Sequence, residues 1–203
     1  MNTNYYTSVI AGLVRASGLC TSAYGQEIEP KAETPKASIA IEADALAYTL
    51  PGYSGVVSIT LRNGLQFAAG QGRYEVPSLL LKGEDNYDTA KWKATSTSVQ
   101  VLRMTYRFNG PMKNGLALGG IFLNQNWRLR SERLGGETTF LPMSAGVTAG
   151  YYFHVGKHFY IYPTVAFTRN WVHSGDTSVR GIKYDVAKWG PSGSVHVGWE
   201  WGL

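Results

Sequence analysis

In this chain of 203 residues, one segment places an imidazole, a hydroxyl and a carboxylate side by side: His173-Ser174-Gly175-Asp176. Hydrolytic chemistry needs the imidazole between the nucleophile and the acid, within hydrogen-bond reach of both. Immediate neighbours along a loop seldom reach that geometry, and no Gly-x-Ser-x-Gly elbow presents a serine elsewhere. His154 and His158 flank a three-residue turn and supply at most two ligands of a metal site, with no acid or third histidine evidently beside them. Phosphate loops, dinucleotide fingerprints and zinc-knuckle spacings are missing. The reading is of no catalytic residue, no cofactor and no metal, with capping and interfacial hydrogen bonding as the role of the two histidines.

Charged residues at alternating positions are more informative. Glu42 with Asp44, Arg103 with Arg107, Arg128 with Arg130, and His196 with Glu200 each share one face if their segments are strands. Composition supports strands: charged residues are 16%, aromatics 13%, and there are 24 Gly and 13 Tyr, a balance that favours β-structure with many turns. No stretch approaches 18 uninterrupted apolar residues, so a spanning helix is not expected. Spanning strands alternate polar and apolar residues and are compatible with this composition.

From Ser38 the alternation reads as eight antiparallel strands. The first, 38–49, puts Ile39, Ile41, Ala43, Ala45 and Ala47 on one face and Glu42, Asp44 and Tyr48 on the other. The second, 55–61, turns Val57, Ile59 and Leu61 outward and is followed by the hairpin dipeptide Asn63-Gly64. The third, 65–75, loses phase after Leu65, Phe67 and Ala69, which predicts a bulge near Gly70 or Gly72. The fourth, 94–108, changes phase between Val101 and Leu102, so Val99 and Val101 read as outward and Arg103 and Arg107 as inward. The fifth, 115–130, reads with Ala117, Ile121, Leu123, Trp127 and Leu129 outward and Asn124, Asn126, Arg128 and Arg130 inward. The sixth, 139–154, and the seventh, 158–171, alternate cleanly, with Tyr151, Phe153, Phe159 and Phe167 outward and Tyr152, Tyr160 and Tyr162 inward. Pro142 and Pro163 each remove a ladder donor, and a bulge or a strand end is expected at both. Links around 62–64, 110–113 and 156–157 are tight, whereas those at 76–93, 131–138 and 173–190 are long.

The eighth strand runs from 192 to the C-terminus. Val197, Trp199, Trp201 and Leu203 fall on one face, and His196, Gly198, Glu200 and Gly202 on the other. A strand that is aromatic on one side and polar or tiny on the other suits a barrel wall between lipid and a polar lumen. His196, Gly198, Trp201 and Leu203 stand at the offsets of the C-terminal assembly signal of bacterial outer-membrane barrels, with Leu where most members carry Phe. The chain thus resembles the small eight-stranded members of that class. The resemblance implies an all-β, eight-stranded antiparallel up-and-down transmembrane β-barrel in the outer membrane of a Gram-negative bacterium. It also implies periplasmic termini, insertion by the barrel assembly machinery, and a monomer. An eight-stranded barrel has room inside only for its own side chains. Glu42, Asp44, Arg103, Arg107, Arg128, Arg130, His196 and Glu200 are therefore expected to form an internal ion-pair network, since enclosed charges are tolerable only when paired.

The barrel is expected over residues 38–203. Residues 1–25 read as a removable secretory signal with cleavage after Gly25, and residues 26–37, with Pro30 and Pro35, as a flexible periplasmic linker. Cys20, the only cysteine, leaves with the signal, as does Arg15, which lowers the formal charge of +5 by one. The remaining cations are dispersed without a basic run, so nucleic acid is not the expected partner. Lys82, Lys91, Lys93, Arg130, Arg133, Arg169, Arg180, Lys183 and Lys188 are expected on the external side, facing the phosphates of lipopolysaccharide. Arg169, with outward parity just beyond the apolar part of its strand, is the candidate contact. The expected role is non-catalytic, in envelope structure or in surface binding through 76–93 and 173–190. Two alternatives come from other classes. An outer-membrane lipid hydrolase would use the His173/Ser174 region on acyl chains, although the His-x-Ser-Asn pattern of lipid A deacylases is missing. A soluble periplasmic ligand-binding barrel would pack its aromatic residues inside.

Overall fold

The computed structural model describes residues 35–77, 81 and 86–203; the signal read over 1–25, and the linker read over 26–37 as far as residue 34, lie outside them. The strands are β1 (Ala37–Asp44), β2 (Tyr53–Leu61), β3 (Leu65–Glu75), β4 (Trp92–Arg107), β5 (Gly115–Ser131), β6 (Glu137–Val155), β7 (Phe159–Gly175), β8 (Ser178–Val179), β9 (Ile182–Lys183) and β10 (Trp189–Gly202). Eight of them close into one antiparallel barrel in the order β1-β10-β7-β6-β5-β4-β3-β2, and β8 with β9 forms a separate two-stranded ribbon. The first and last strands seal the wall from Ser38↔Gly202 to Asp44↔His196. No helix among the described residues is long and apolar enough to cross a membrane, which says nothing of strands.

The two longest connections, from β3 to β4 and from β7 to β10, lie at one end of the barrel, although 132–136 there is shorter than 108–114 at the other. Links 62–64, 108–114 and 156–158 lie at one end, and 45–52, 132–136 and 176–188, with the two ends of the β3–β4 connection, at the other. Gly64 makes the first of these turns with φ +90°, and an added Cβ would lie 2.2 Å from the Arg107 carbonyl oxygen. The strands run further into the long links than their sequence pattern indicated, and His173 and Ser174 belong to β7. β1 is shorter than expected. The Asp44 carboxylate accepts from the Leu46 N–H at 3.0 Å and caps a helical turn, Ala45–Thr49, so Ala45, Ala47 and Tyr48 leave the sheet.

The expected bulges are present between Gly72 and Tyr74 and between Leu141 and Pro142. Pro163 behaves differently. It stays in the strand, paired with Val195, and the β6–β7 register is the same on either side of it, Gly150↔Thr164 and Phe153↔Ile161. The lost donor is absorbed by a gap in the ladder.

Directly paired residues share a face, so the registers define what looks outward. Successive outward rungs from the tight-turn end are Leu65–Tyr106–Leu118–Ala149, Phe67–Met104–Gly120–Val147 and Ala69–Leu102–Phe122–Ala145. The next rung, Gln71–Gln100–Asn124–Met143, is mostly amide, and Asn124 donates to Gln100 at 3.1 Å. Beyond it Ser98, Asn126, Arg128 and Arg130 are all exposed. The interior changes in the opposite sense. Toward the tight turns it buries Ser38, Glu42, Ser58, Thr60, Gln66, Arg103, Thr105, Arg107 and Glu200. Toward the long loops it is an apolar cluster of Leu81, Ala90, Trp92, Ala94, Leu129, Phe140, Val179 and Tyr184.

This exchange of polarity along the wall corrects two phase assignments. β5 keeps one register with β6 throughout, yet its apolar side chains move from the outside, at Leu116 and Leu118, to the inside, at Trp127 and Leu129. Ala117, Ile121 and Leu123 face inward as well, opposite Arg107, Arg103 and Val101. In β4 the register shifts at Thr97, between Ser96 and Ser98, which leaves Val99 and Val101 on the inward face with Arg103.

Candidate functional site

The lumen at the tight-turn end is filled by two buried ion pairs. In the pair nearer the barrel centre, Arg103 Nη2 donates to both oxygens of Glu42 at 2.9 and 2.8 Å. Ser58 Oγ donates to the same carboxylate at 3.2 Å, and His196 Nδ1 lies 3.6 Å from it. In the other pair, Arg107 grips Glu200 with Nη1 at 2.8 Å and Nη2 at 3.3 Å. Glu200 also accepts from the Ser38 hydroxyl and from the Met112 main chain at 3.2 Å, and His154 Nε2 stands 2.8 Å from it.

Gln66 bridges the two layers. Its amide nitrogen donates to Ser58 and Thr60 at 3.4 and 3.1 Å, and its oxygen accepts from Thr105 at 3.0 Å and Tyr152 at 2.8 Å. The arginines lie over aromatic faces as well, Arg103 4.9 Å from the Tyr162 centroid and Arg107 3.9 Å from that of Tyr152. Those two rings stack on each other at 4.0 Å. Each ion therefore has an opposite charge, neutral donors or a π face around it. That arrangement offsets the several kcal/mol that burying an isolated ion costs.

Strand position explains why these side chains meet. Glu42 and Glu200 come from the two strands that seal the barrel, while Arg103 and Arg107 project from β4 across the lumen. Gly198, between His196 and Glu200 on the inward face, leaves room for Tyr160. A Cβ there would lie 2.4 Å from the Tyr160 ring. Gly150 stands in the same relation to Tyr162, again at 2.4 Å.

Of the eight charged residues assigned to the lumen, five meet there: Glu42, Arg103, Arg107, His196 and Glu200. Asp44 is taken up by the helical cap. Arg128 and Arg130 are exposed on the outer face, because the polar side of β5 lies outside in that half. Gln66, Ser58, Thr60, Thr105 and Ser38 join the network without having been singled out, and His154, read as a capping residue, joins it through Glu200. The inward parity of Gln66 between Leu65 and Phe67 was the signal available for the first of them.

The other candidates are dispersed. His154 is turned into the lumen onto Glu200, whereas His158 Nδ1 sits 2.9 Å from the Glu200 carbonyl oxygen and its ring stacks on Trp199 at 5.7 Å. No group of three metal-ligating side chains occurs among the described residues. His173, Ser174 and Asp176 are all exposed, and Asp176 accepts from the Ser178 N–H at 2.9 Å. Ser38, Glu200 and His154 do come together, but with the carboxylate in the middle, so the imidazole does not face the hydroxyl it would need to deprotonate.

At the long-loop end Arg169 is exposed and looks outward beside Trp189, its guanidinium 5.9 Å from the ring centroid. Trp189 stacks on Phe167 at 5.8 Å. At the opposite end Trp201 and Leu203 are exposed on the outer face, and the Leu203 N–H reaches the Ala37 carbonyl at 2.8 Å.

No protein-family model and no curated protein matches the sequence. Among solved structures the chain is similar to the N-terminal β-barrel domain of Pseudomonas aeruginosa OprF, at 14% identity over 83% of this chain and 100% of that one, with a TM-score of 0.49. It is similar to Neisserial surface protein A at 16% identity over 82% of this chain and 94% of that one, TM-score 0.41. A major outer membrane protein from Thermus thermophilus is similar at 10% identity over 81% of this chain and 99% of that one, TM-score 0.46.

Proposed function

We propose that the chain is a non-catalytic barrel of the bacterial outer membrane, closed by its own side chains, with its long loops exposed for envelope structure or surface binding. The observation that carries this reading is the outward apolar surface. Ile41, Val57, Phe67, Leu102, Met104, Val147, Val165, Phe167 and Trp199 are all exposed around a wall whose interior holds ions. Water would penalise each such side chain by about 25 cal/mol per Å² of apolar area, whereas hydrocarbon would not. A soluble ligand-binding barrel would hold these residues in its centre.

Exposed aromatics lie where interfacial girdles would be. Tyr106, Phe108, Tyr151, Phe153, Trp199 and Trp201 stand near the tight-turn end, and Tyr53, Trp171 and Trp189 toward the long loops. In this reading the tight turns and both termini are periplasmic, the long loops are external, and Arg169 stands at lipopolysaccharide headgroup level. His196, Gly198, Trp201 and Leu203 serve as the terminal signal for the assembly machinery. Sucrose-gradient fractionation of the host envelope, with unheated and heated gel migration, tests the proposal. The expected result is outer-membrane sedimentation and a heat-dependent shift. Recovery as a soluble protein without detergent would overturn it.

A further inference from the structure

β10 begins at Trp189, opposite Arg169, while β7 continues to Gly175. One strand is therefore missing from that part of the wall, and the segment 183–188 folds across the gap. The Asn170 main-chain N–H donates to the Lys188 carbonyl oxygen at 2.8 Å and its side-chain amide to that of Ala187 at 2.9 Å. A cleft of about 340 Å³ remains between this segment and β7, lined among others by Arg169, Trp171, Val172, Lys183, Asp185 and Lys188.

Three cations and one carboxylate face this cleft. Lys183 and Asp185 form an exposed pair at 3.4 Å, which leaves Arg169 and Lys188 with no acidic partner among the described residues. Depth in the wall then narrows the ligand class. The outward position below Arg169 is Phe167, and the one above it is Trp171, both exposed. The cations thus sit at the upper edge of the apolar surface, where a lipid changes from acyl chain to headgroup. A planar guanidinium and an ammonium suit phosphate oxygens, and an exposed indole suits the flat face of a sugar.

We propose that this cleft binds the phosphorylated sugar headgroup of an outer-leaflet glycolipid, with Arg169 and Lys188 on the phosphate and Trp171 against the saccharide. The proposal rests on the membrane reading above. Its test is calorimetric titration of bisphosphorylated lipid A into the folded full chain in neutral-detergent micelles. Saturable binding is expected, weakened about tenfold for each of Arg169→Gln and Lys188→Gln, the loss of one charge-assisted hydrogen bond. Lys157→Gln, at the other end of the barrel, is expected to leave it unchanged.

Equal affinity in the Arg169→Gln/Lys188→Gln double variant would overturn the proposal. So would equal affinity for fully dephosphorylated lipid A, an equal loss in Lys157→Gln, or displacement of the lipid by inorganic phosphate at matching concentration. Heat-dependent gel migration of every variant confirms that the barrel is folded. Protease protection of the wild type in vesicles separates the two readings. Failure to insert removes the membrane assignment, whereas insertion with charge-independent lipid binding removes the cleft alone.

Discussion

Glu42 and Arg103 show how little freedom a single residue has in this lumen. Removing one partner strands the other ion in a space that water cannot reach easily, at a cost of about 3–5 kcal/mol. Glu42→Gln is expected to lower stability by that amount in urea titrations of vesicle-folded protein. The Glu42→Gln/Arg103→Met pair should recover most of the loss, since it removes both charges. A Glu42→Gln midpoint equal to that of the wild type would mean that Arg103 finds another partner. Gly198 is constrained by shape instead. Gly198→Ala forces Tyr160 to move although that ring is fully buried, and a penalty of about 1–3 kcal/mol is expected in the same titration.

β5 carries the clearest lesson at the scale of the element. Leu129→Ala is expected to cost about 2–5 kcal/mol, because Leu129 is enclosed with Phe140 and Trp92, while Arg128→Ala should change stability by no more than about 0.5 kcal/mol. Labelling gives an independent check. In a Cys20→Ser background, Arg128→Cys should react quickly with a water-soluble maleimide and Leu129→Cys slowly, and reversed rates would restore the phase suggested by alternation. β6, β7 and β10 were legible from alternation because each keeps one polarity sense over the stretch that was read. In β5 the contrast between faces inverts halfway while the pairing does not, and a strict alternation rule cannot distinguish that from a strand read upside down. The Leu141/Pro142 bulge was legible because proline lacks a donor. Pro163 was not, because a ladder can drop a bond without changing register. The ion pairs were half legible. Inward parity located Glu42, Arg103, Arg107, His196 and Glu200, but cross-lumen partners such as Gln66 and Tyr152 depend on which strands face each other after closure.

For the whole molecule, the filled lumen makes a prediction about transport. Two ion-pair layers, braced by the Tyr152–Tyr162 stack, and the apolar cluster beyond them fill the lumen, so the protein reconstituted in planar bilayers is expected to carry no steady current. Persistent single-channel steps would show that the network opens. On the membrane reading proposed above, the rung of amides at Gln71, Gln100 and Asn124 has a consequence for the surrounding bilayer. From Phe108, just past the end of β4, to Leu102 the outward apolar residues cover about 20 Å of chain, or ~15 Å along the barrel axis at a tilt of about 40°. A thicker hydrocarbon layer must either submerge those amides or pinch inward around β3 to β5. The barrel is in effect a gauge of bilayer thickness on that flank. Refolding yield should fall as the acyl chains of the receiving lipid lengthen, and the bilayer beside β3 to β5 should be the thinnest around the protein.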